Sequence, residues 1–189
     1  MASSTPSLRA NIAFAYTMHL MKPDSLEAAV QDVWQTIVSQ WFTSSGGYVW
    51  AIKVPILAKM PDDTVLRVTQ GVQIPAGTFP LIEHPILLVV CKRASSDSSK
   101  APLDWDDAMQ SHFLHHISET PNSEMGRLFG AVAVGTRVRF YRFDGKAELD
   151  RRLARLHQDT FNLEEFNGHA QVEDIMNSIK TNAWQWVTS

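Results

Sequence analysis

The sequence predicts one mixed α/β domain with a central sheet of about five strands. Three patterns predict it: a long helical periodicity after Pro23, a wholly apolar run at 86–90, and two strand-like runs around Gly135. The length of 189 residues fits one domain, and 44% hydrophobic residues can fill a core. We expect residues 1–22 to form an N-terminal arm or extension and residues 23–189 to form the domain.

The first predicted helix begins after Pro23. Asp24 and Glu27 have the spacing of a capping box, in which each side chain accepts a hydrogen bond from the other's backbone N–H. Apolar residues then recur every three or four positions as far as Phe42, which is typical of an amphipathic helix. The preceding segment, 8–21, is apolar without a clear period, so the sequence assigns it no element.

Three strands are predicted next. Residues 48–56 and 64–74 are rich in β-branched and aromatic side chains and are separated by the turn residues 60–63. The run 86–90 is apolar at every position, as expected of a central strand that is buried on both faces. It ends abruptly in the polar pair Lys92-Arg93.

The second half predicts a helix, a hairpin and two further helices. Residues 105–118 form the first helix because four apolar residues recur there at intervals of four, namely Trp105, Met109, Phe113 and Ile117. The runs 129–134 and 137–143 flank Gly135-Thr136, which predicts a tight hairpin. Helices are expected at 147–156 and 172–184.

Composition excludes several classes of protein. A single cysteine, Cys91, excludes an internal disulfide framework and a cysteine-cluster zinc site, and its place in the apolar run predicts an inert core thiol. The uncharged apolar run at 85–91 is too short to span a bilayer, and no signal-peptide pattern is present, so we expect a cytoplasmic or nuclear protein without membrane contact. His112, His115 and His116 are expected on a helix surface rather than around a metal.

The net charge of −3 hides a strongly uneven distribution. The stretch from Arg127 to Arg155 carries a net charge of +5, and the rest of the chain carries −8. A basic face with an aromatic side chain can follow a phosphate backbone, although it can equally bind an acidic protein or be a solvated surface. The candidate nucleic-acid-binding residues are Arg93, Arg137, Arg139, Tyr141 and Arg142.

A series of short motifs adds a resemblance. Pro61-Asp62 opens a strand, the apolar strand ends in Lys92, the next helix carries Trp105 and Gln110, and the hairpin reads GAVAVGTRVRFY from Gly130. In this order the motifs resemble the PD-(D/E)XK nuclease superfamily, and particularly its fungal domains, over residues 24–180. The resemblance implies a restriction-endonuclease-like αβββαβ core, in which helices flank a mixed sheet.

The resemblance also implies catalytic roles. Asp62 corresponds to the first metal-binding acid, Lys92 to the lysine that steadies the attacking water, Glu27 to an accessory acid, and Gln110 to the glutamine of the second helix. In such sites one or two Mg²⁺ or Mn²⁺ ions, held by carboxylates, activate the water and stabilise charge on the scissile phosphate.

The chain departs from this pattern at one position. The second metal-binding acid is expected two residues before Lys92, where this sequence has Val90, and valine cannot bind a metal. A replacement acid is conceivable at Asp106 or Asp107, which precede Gln110 by one helical turn. Two other positions are conceivable, namely Asp63 and Glu83.

We therefore expect a nuclease-fold protein that is degenerate and weakly or not catalytic. Three alternatives stay open: an active Mg²⁺-dependent DNA or RNA phosphodiesterase with a migrated carboxylate, a non-catalytic protein-binding module, and an enzyme of other chemistry on this scaffold. The expected partners are nucleic acid or another protein, and the sequence does not predict an oligomeric state.

Overall fold

A mixed β-sheet forms the centre of the molecule. The computed structural model describes residues 6–22, 25, 27–53, 64–72, 82–94, 105, 109, 113–118 and 126–189. Within these ranges the elements follow in this order: α1 (Ile12–Leu20), α2 (Glu27–Trp41), β1 (Tyr48–Lys53), β2 (Thr64–Val72), β3 (Ile82–Lys92), α3 (Leu114–Ser118), β4 (Arg127–Val134), β5 (Arg137–Asp144), β6 (Leu153–Arg155), β7 (Phe161–Asn162) and α4 (Phe166–Thr188).

The described strands are arranged in the order β1-β2-β3-β4-β5-β6, and β7 also pairs with β5. The first three strands form an antiparallel meander, β4 runs parallel to β3, and β5 returns antiparallel to β4. Parallel neighbours need a long crossover connection, and here the segment that contains α3 lies between β3 and β4. The predicted mixed α/β architecture is confirmed.

Two hydrophobic cores cover the two faces of this sheet. The first core packs α1, α2 and α4 against Leu87, Val89 and Cys91 of β3. The second core packs Trp105, Met109, Phe113 and Ile117 against Leu88 and Val90. Because side chains alternate along a strand, β3 supplies both cores, which explains why its sequence is apolar at every position.

The periodic apolar residues of two predicted helices face the cores. In α2 the large apolar side chains are buried, namely Val30, Val33, Trp34, Ile37, Val38 and Trp41. The four apolar residues of 105–118 that recur at intervals of four all enter the second core. The hairpin is confirmed as well, and Gly135 has a positive φ of 57°, a conformation that glycine adopts without steric cost.

The N-terminal residues pack onto the domain. Leu8 is 1% exposed and Phe14 is 2% exposed, both within the first core. The backbone N–H of Leu8 donates to Oε1 of Glu173 at 2.6 Å, and Asn11 caps α1 by accepting from the N–H of Phe14. The segment for which the sequence predicts no element therefore contains a helix that is tied to α4.

One predicted helix is wrong. Residues 147–156 form a short 3₁₀ turn at Leu149–Arg151 followed by strand β6. Here β6 pairs with Tyr141–Phe143 of β5 and hydrogen-bonds a stretch of β5 backbone on the side away from β4. The apolar residues of this segment do not form the buried face of a helix, and Leu149 is 82% exposed.

The expected surface position of the histidines is also wrong for His116. This residue is 4% exposed, because the helix packs closely on the second face of the sheet. His115 is half-buried, and its ring lies 5.7 Å from that of His116. Among the described helices, none is both long and apolar enough to cross a bilayer.

Candidate functional site

The C-terminal end of β3 lies beside the β4–β5 turn. Lys92 has Val134 as its register partner, and Val134 in turn pairs with Arg137. The turn closes against β3 because the N–H of Gly135 donates to the carbonyl oxygen of Lys92 at 2.9 Å. Since neighbouring strands are about 4.8 Å apart, the Cα atoms of Lys92 and Arg137 are separated by about 10 Å.

Four basic residues converge at this end of the sheet, and we call them the cationic end: Lys92, Arg93, Arg137 and Arg139. Arg93 directly follows β3 and is exposed, as is Arg137 at the start of β5. Lys92 and Arg139 are half-buried. The sequence separation between the two pairs exceeds 40 residues, so the pairing of β3, β4 and β5 brings them together.

The second face of the sheet carries three of these residues. Val90 pairs with Val132, which pairs with Arg139, and both valines belong to the second core. Lys92 follows Val90 by two residues and Arg137 precedes Arg139 by two residues, so alternation places Lys92 and Arg137 on this same face. The strand register therefore agrees with the prediction that Arg137, Arg139 and Tyr141 share one face of β5.

Arg139 is fixed by two contacts. Its guanidinium carbon lies 4.1 Å from the ring centroid of Trp105, a cation–π distance, and its Nε donates to Oγ1 of Thr160 at 2.8 Å. These contacts hold the guanidinium near the surface of the second core. Arg137 has no such anchor among the described residues, which leaves its charge accessible to a ligand.

Tyr141 and Arg142 have structural environments of their own. Tyr141 is 6% exposed, and its ring centroid lies 5.9 Å from that of Phe113, so it is a core residue rather than a surface platform. Arg142 belongs to the opposite face of β5. Its guanidinium and that of Arg127 lie 4.6 Å and 4.5 Å from the ring centroid of Trp186 in α4.

Part of the positive charge of 127–155 therefore secures the end of α4. Arg127 forms an ion pair with Asp144 at 3.0 Å and also donates to the side chain of Ser189, while Nζ of Lys146 donates to the carbonyl oxygen of Ser189. Cations are favourable at a helix C-terminus because the last carbonyl groups carry partial negative charge. These residues are not part of the cationic end.

Glu27 lies near Cys91, at the end of β3. It begins α2, both of its carboxylate oxygens are withdrawn from solvent, and its negative charge acts on the Cys91 thiol. Burial, with a smaller contribution from Glu27, raises the pKa of Cys91 well above its usual value. Cys91 faces the first core, whereas Val90 and Lys92 belong to the second face.

The expected position of the missing acid is apolar. Val90 is completely buried in the second core, so no water or metal ion reaches it. Glu83 lies near the start of β3, at the opposite end of that strand from Lys92, and so cannot replace the acid. The remaining expected or conceivable site residues, Asp62, Asp63, Asp106, Asp107 and Gln110, lie outside the described residues, and so does His112, which the sequence places on a helix surface.

The described part of the chain does not fit a metal centre. Its His, Cys, Asp and Glu side chains form no group of three or more that could bind a metal ion. Apart from Glu27, the described residues at the end of β3 are cations and apolar side chains, and the cations disfavour a divalent metal ion. What this arrangement can do chemically is attract and neutralise an anion.

Two residues near the cationic end, Arg67 and Thr160, belong to none of the motifs that the sequence shows. Arg67 of β2 pairs with Leu88 and so contributes a further cation to the second face, a position that its alternation with Val65 indicates. Thr160 lies in the loop after β6, 21 residues from Arg139 in the sequence. No sequence pattern around Thr160 predicts that its hydroxyl accepts a hydrogen bond from Arg139. Two exposed acids, Glu164 and Glu165, follow β7, whose Asn162 is the register partner of Arg137.

Comparison of the chain with models of known families, with curated proteins and with solved structures gives no match in any of the three.

Proposed function

We propose that this chain is a restriction-endonuclease-like protein that has lost efficient metal-dependent cleavage and that binds nucleic acid through its cationic end. The observation that carries the proposal is the strand arrangement, in which an antiparallel meander is followed by a parallel strand, with Lys92 at the end of β3 and in one row with Arg137. This order agrees with the αβββαβ core that the motif resemblance implies.

Loss of catalysis is supported by the environment of Val90. A phosphodiesterase of the implied type needs two acids at adjacent strand ends to hold Mg²⁺. A carboxylate at position 90 would be buried among apolar side chains, and the present valine instead completes the second core. With Lys92 retained and the acid replaced, the strand end keeps the group that contacts phosphate and lacks the group that binds metal.

Binding of a phosphate backbone is supported by the exposed cations. Arg93 and Arg137 are exposed on either side of the Gly135 turn, and Arg139 lies two residues beyond Arg137 in β5. Each arginine can donate two parallel hydrogen bonds to phosphate oxygens. Because the only aromatic candidate, Tyr141, is buried, we expect contacts to the backbone rather than stacking with bases.

Fluorescence polarisation with labelled single-stranded and duplex DNA and RNA tests this binding. Arg137→Ala is expected to weaken binding and to lower the slope of log affinity against log salt by about 0.9 for each lost phosphate contact on a duplex. Arg151→Ala, which removes an exposed charge on the 3₁₀ turn, is the matched control. Absence of binding, or equal losses in both variants, would contradict the proposal.

Cleavage is tested separately with the same substrates in Mg²⁺ or Mn²⁺. We expect neither cleavage nor calorimetric metal binding by the wild-type protein. Cleavage that disappears in Lys92→Ala would instead show an active nuclease with a migrated carboxylate, for which Asp106 and Asp107 are then the first residues to substitute.

A further inference from the structure

We propose that α1 contacts the surface of an anionic lipid bilayer through an outward row of apolar side chains. This apolar row consists of Ile12, Tyr16 and Leu20, which follow one another at intervals of four and therefore line one side of the helix. Their exposed fractions are 86%, 63% and 52%. Contiguous exposed apolar side chains mark a contact surface, whereas scattered ones are ordinary. This inference is independent of the proposed nucleic-acid binding.

The apolar row belongs to a helix that is fixed to the domain on its other side. Phe14 is 2% exposed in the first core, and its ring centroid lies 5.3 Å from that of His169 in α4. Asn11 caps the helix, and its Nδ2 also donates to Oε1 of Gln40 in α2 at 2.7 Å. The exposure of the apolar row is therefore a property of the packed helix and not of a detached segment.

The charges around α1 favour an anionic partner. Arg9 precedes the helix, Lys22 follows it, and both residues are exposed. The first 23 residues contain no aspartate or glutamate, so the helix and its flanks carry only positive side-chain charge. The Arg9 guanidinium stacks on the exposed ring of Phe166, but that ring follows the acids Glu164 and Glu165, so we restrict the contact surface to α1.

The same charges disfavour a second copy of this chain on the apolar row. A parallel pair of α1 helices would place each Arg9 and each Lys22 opposite its own copy. An antiparallel pair would place Arg9 opposite Lys22 at both ends. Like charges face each other in either arrangement, and such contacts suppress association.

The shape of the surface favours a lipid partner over a peptide. Ile12 is exposed nearly as far as a free side chain, so the apolar row forms a ridge, whereas a peptide helix is usually recognised by a groove. A helix with apolar and basic residues instead lies in the membrane interface, with its apolar side buried about 5–10 Å deep. Tyr16 fits this position, because the tyrosine ring has an apolar body and a polar tip.

This mode of contact differs from the one that the sequence excludes. A helix that lies on a membrane needs no spanning segment, and the proposal therefore replaces the expectation of no membrane contact. The apolar row is only about 12 Å long, since eight residues at 1.5 Å each separate Ile12 from Leu20. Binding by so short a helix is weak and reversible, and it depends on attraction between the flanking cations and anionic lipid.

Co-sedimentation with phosphatidylcholine vesicles that contain about 30% phosphatidylserine tests the contact. Ile12→Ser removes a protruding side chain without touching either core and is expected to weaken binding about tenfold. Leu149→Ser, at an 82% exposed position on the 3₁₀ turn, is the matched control and should leave binding unchanged. Both variants keep every charge, so a difference between them separates insertion of the apolar row from attraction of the vesicle to the cationic end.

The role of the flanking charge is tested with Lys22→Gln, which is expected to weaken binding to the same vesicles about fivefold. Vesicles of phosphatidylcholine alone should bind the wild-type protein more than about tenfold more weakly. Sedimentation velocity of the free wild-type protein and of Ile12→Ser tests a second copy as the occupant. Absence of binding to anionic vesicles, equal losses in Ile12→Ser and Leu149→Ser, or a dimer that Ile12→Ser dissociates would overturn the proposal.

Discussion

At the scale of single residues, Cys91 shows how burial controls chemistry. The thiolate is the reactive form of cysteine, and the pKa of Cys91 is raised by burial and by the charge of Glu27. We expect the native protein to resist modification by Ellman's reagent between about pH 7 and 9, a range that spans the ordinary pKa of about 8.5. Denaturant should release one reactive thiol per chain. Rapid modification of the folded protein would contradict this assignment.

Asp144 predicts a pH dependence of stability. The hydrogen bond from Arg127, followed by the N–H of Lys146 and both positive charges, lowers the pKa of Asp144 below its usual value. A lowered folded-state pKa stabilises the protein above the unfolded value of about 3.9, and this contribution is lost as the pH falls through the folded value.

Asp144→Asn is therefore expected to lower the free energy of unfolding at pH 7 by about 0.5–1 kcal/mol, a small effect because the pair is near the surface. Urea unfolding at pH 7 and pH 3 measures it, with the exposed Asp150→Asn as control. The deficit should shrink at pH 3, and an equal deficit at both pH values would exclude the ion pair as its cause.

At the scale of elements, Gly168 determines how closely α4 approaches β7. A Cβ at this position would collide with the backbone carbonyl of Asn162, whereas a Cβ at Gly130 would meet only the side chain of Phe113. A helical Gly→Ala change ordinarily stabilises by about 0.5–1 kcal/mol. Here the sign reverses, because backbone cannot move aside as a side chain can.

We expect Gly168→Ala to lower the free energy of unfolding by about 1–3 kcal/mol and Gly130→Ala to lower it less. Thermal and urea unfolding of both variants measure the difference. Asn167→Ala, at an exposed neighbouring position of α4, is the control. A stabilised Gly168→Ala would show that α4 does not pack against β7 in this way.

The elements also show what a single sequence reveals. The helix α2 is predictable because its apolar residues recur with helical period. The strand β3 is predictable because it is buried on both faces and is therefore apolar throughout its centre. The sequence of α1 shows no helical period of apolar residues, because its exposed side is apolar as well, with Ile12 at 86% exposure. The segment around β6 has helical spacing, but the pairing with β5 decides its conformation.

The candidate site is less predictable than the elements for a physical reason. Alternation along β5 is local, and it places Arg137 and Arg139 on one face from the sequence alone. The row that joins Lys92 to Arg137 depends on the register of three strands, which only the assembled sheet defines. The stacking of Arg142 on Trp186 likewise depends on where α4 ends, far along the chain.

At the scale of the whole molecule, the N-terminal segment contributes to the first core. Leu8→Ala is expected to cost about 2–5 kcal/mol of unfolding free energy, since the side chain is 1% exposed. Ile12→Ala, at an 86% exposed position, should cost almost nothing. Urea unfolding compares the two. Equal, negligible losses would mean that residues 6–22 are an appendage rather than part of the domain.

The bond between Leu8 and Glu173 also has a consequence for biosynthesis, because 165 residues separate its two ends. A chain emerging from the ribosome displays α1 and α2 long before α4 exists to cover them. The first core consequently cannot close until α4 has been synthesised. Throughout that interval the nascent chain presents apolar surface that the folded protein buries.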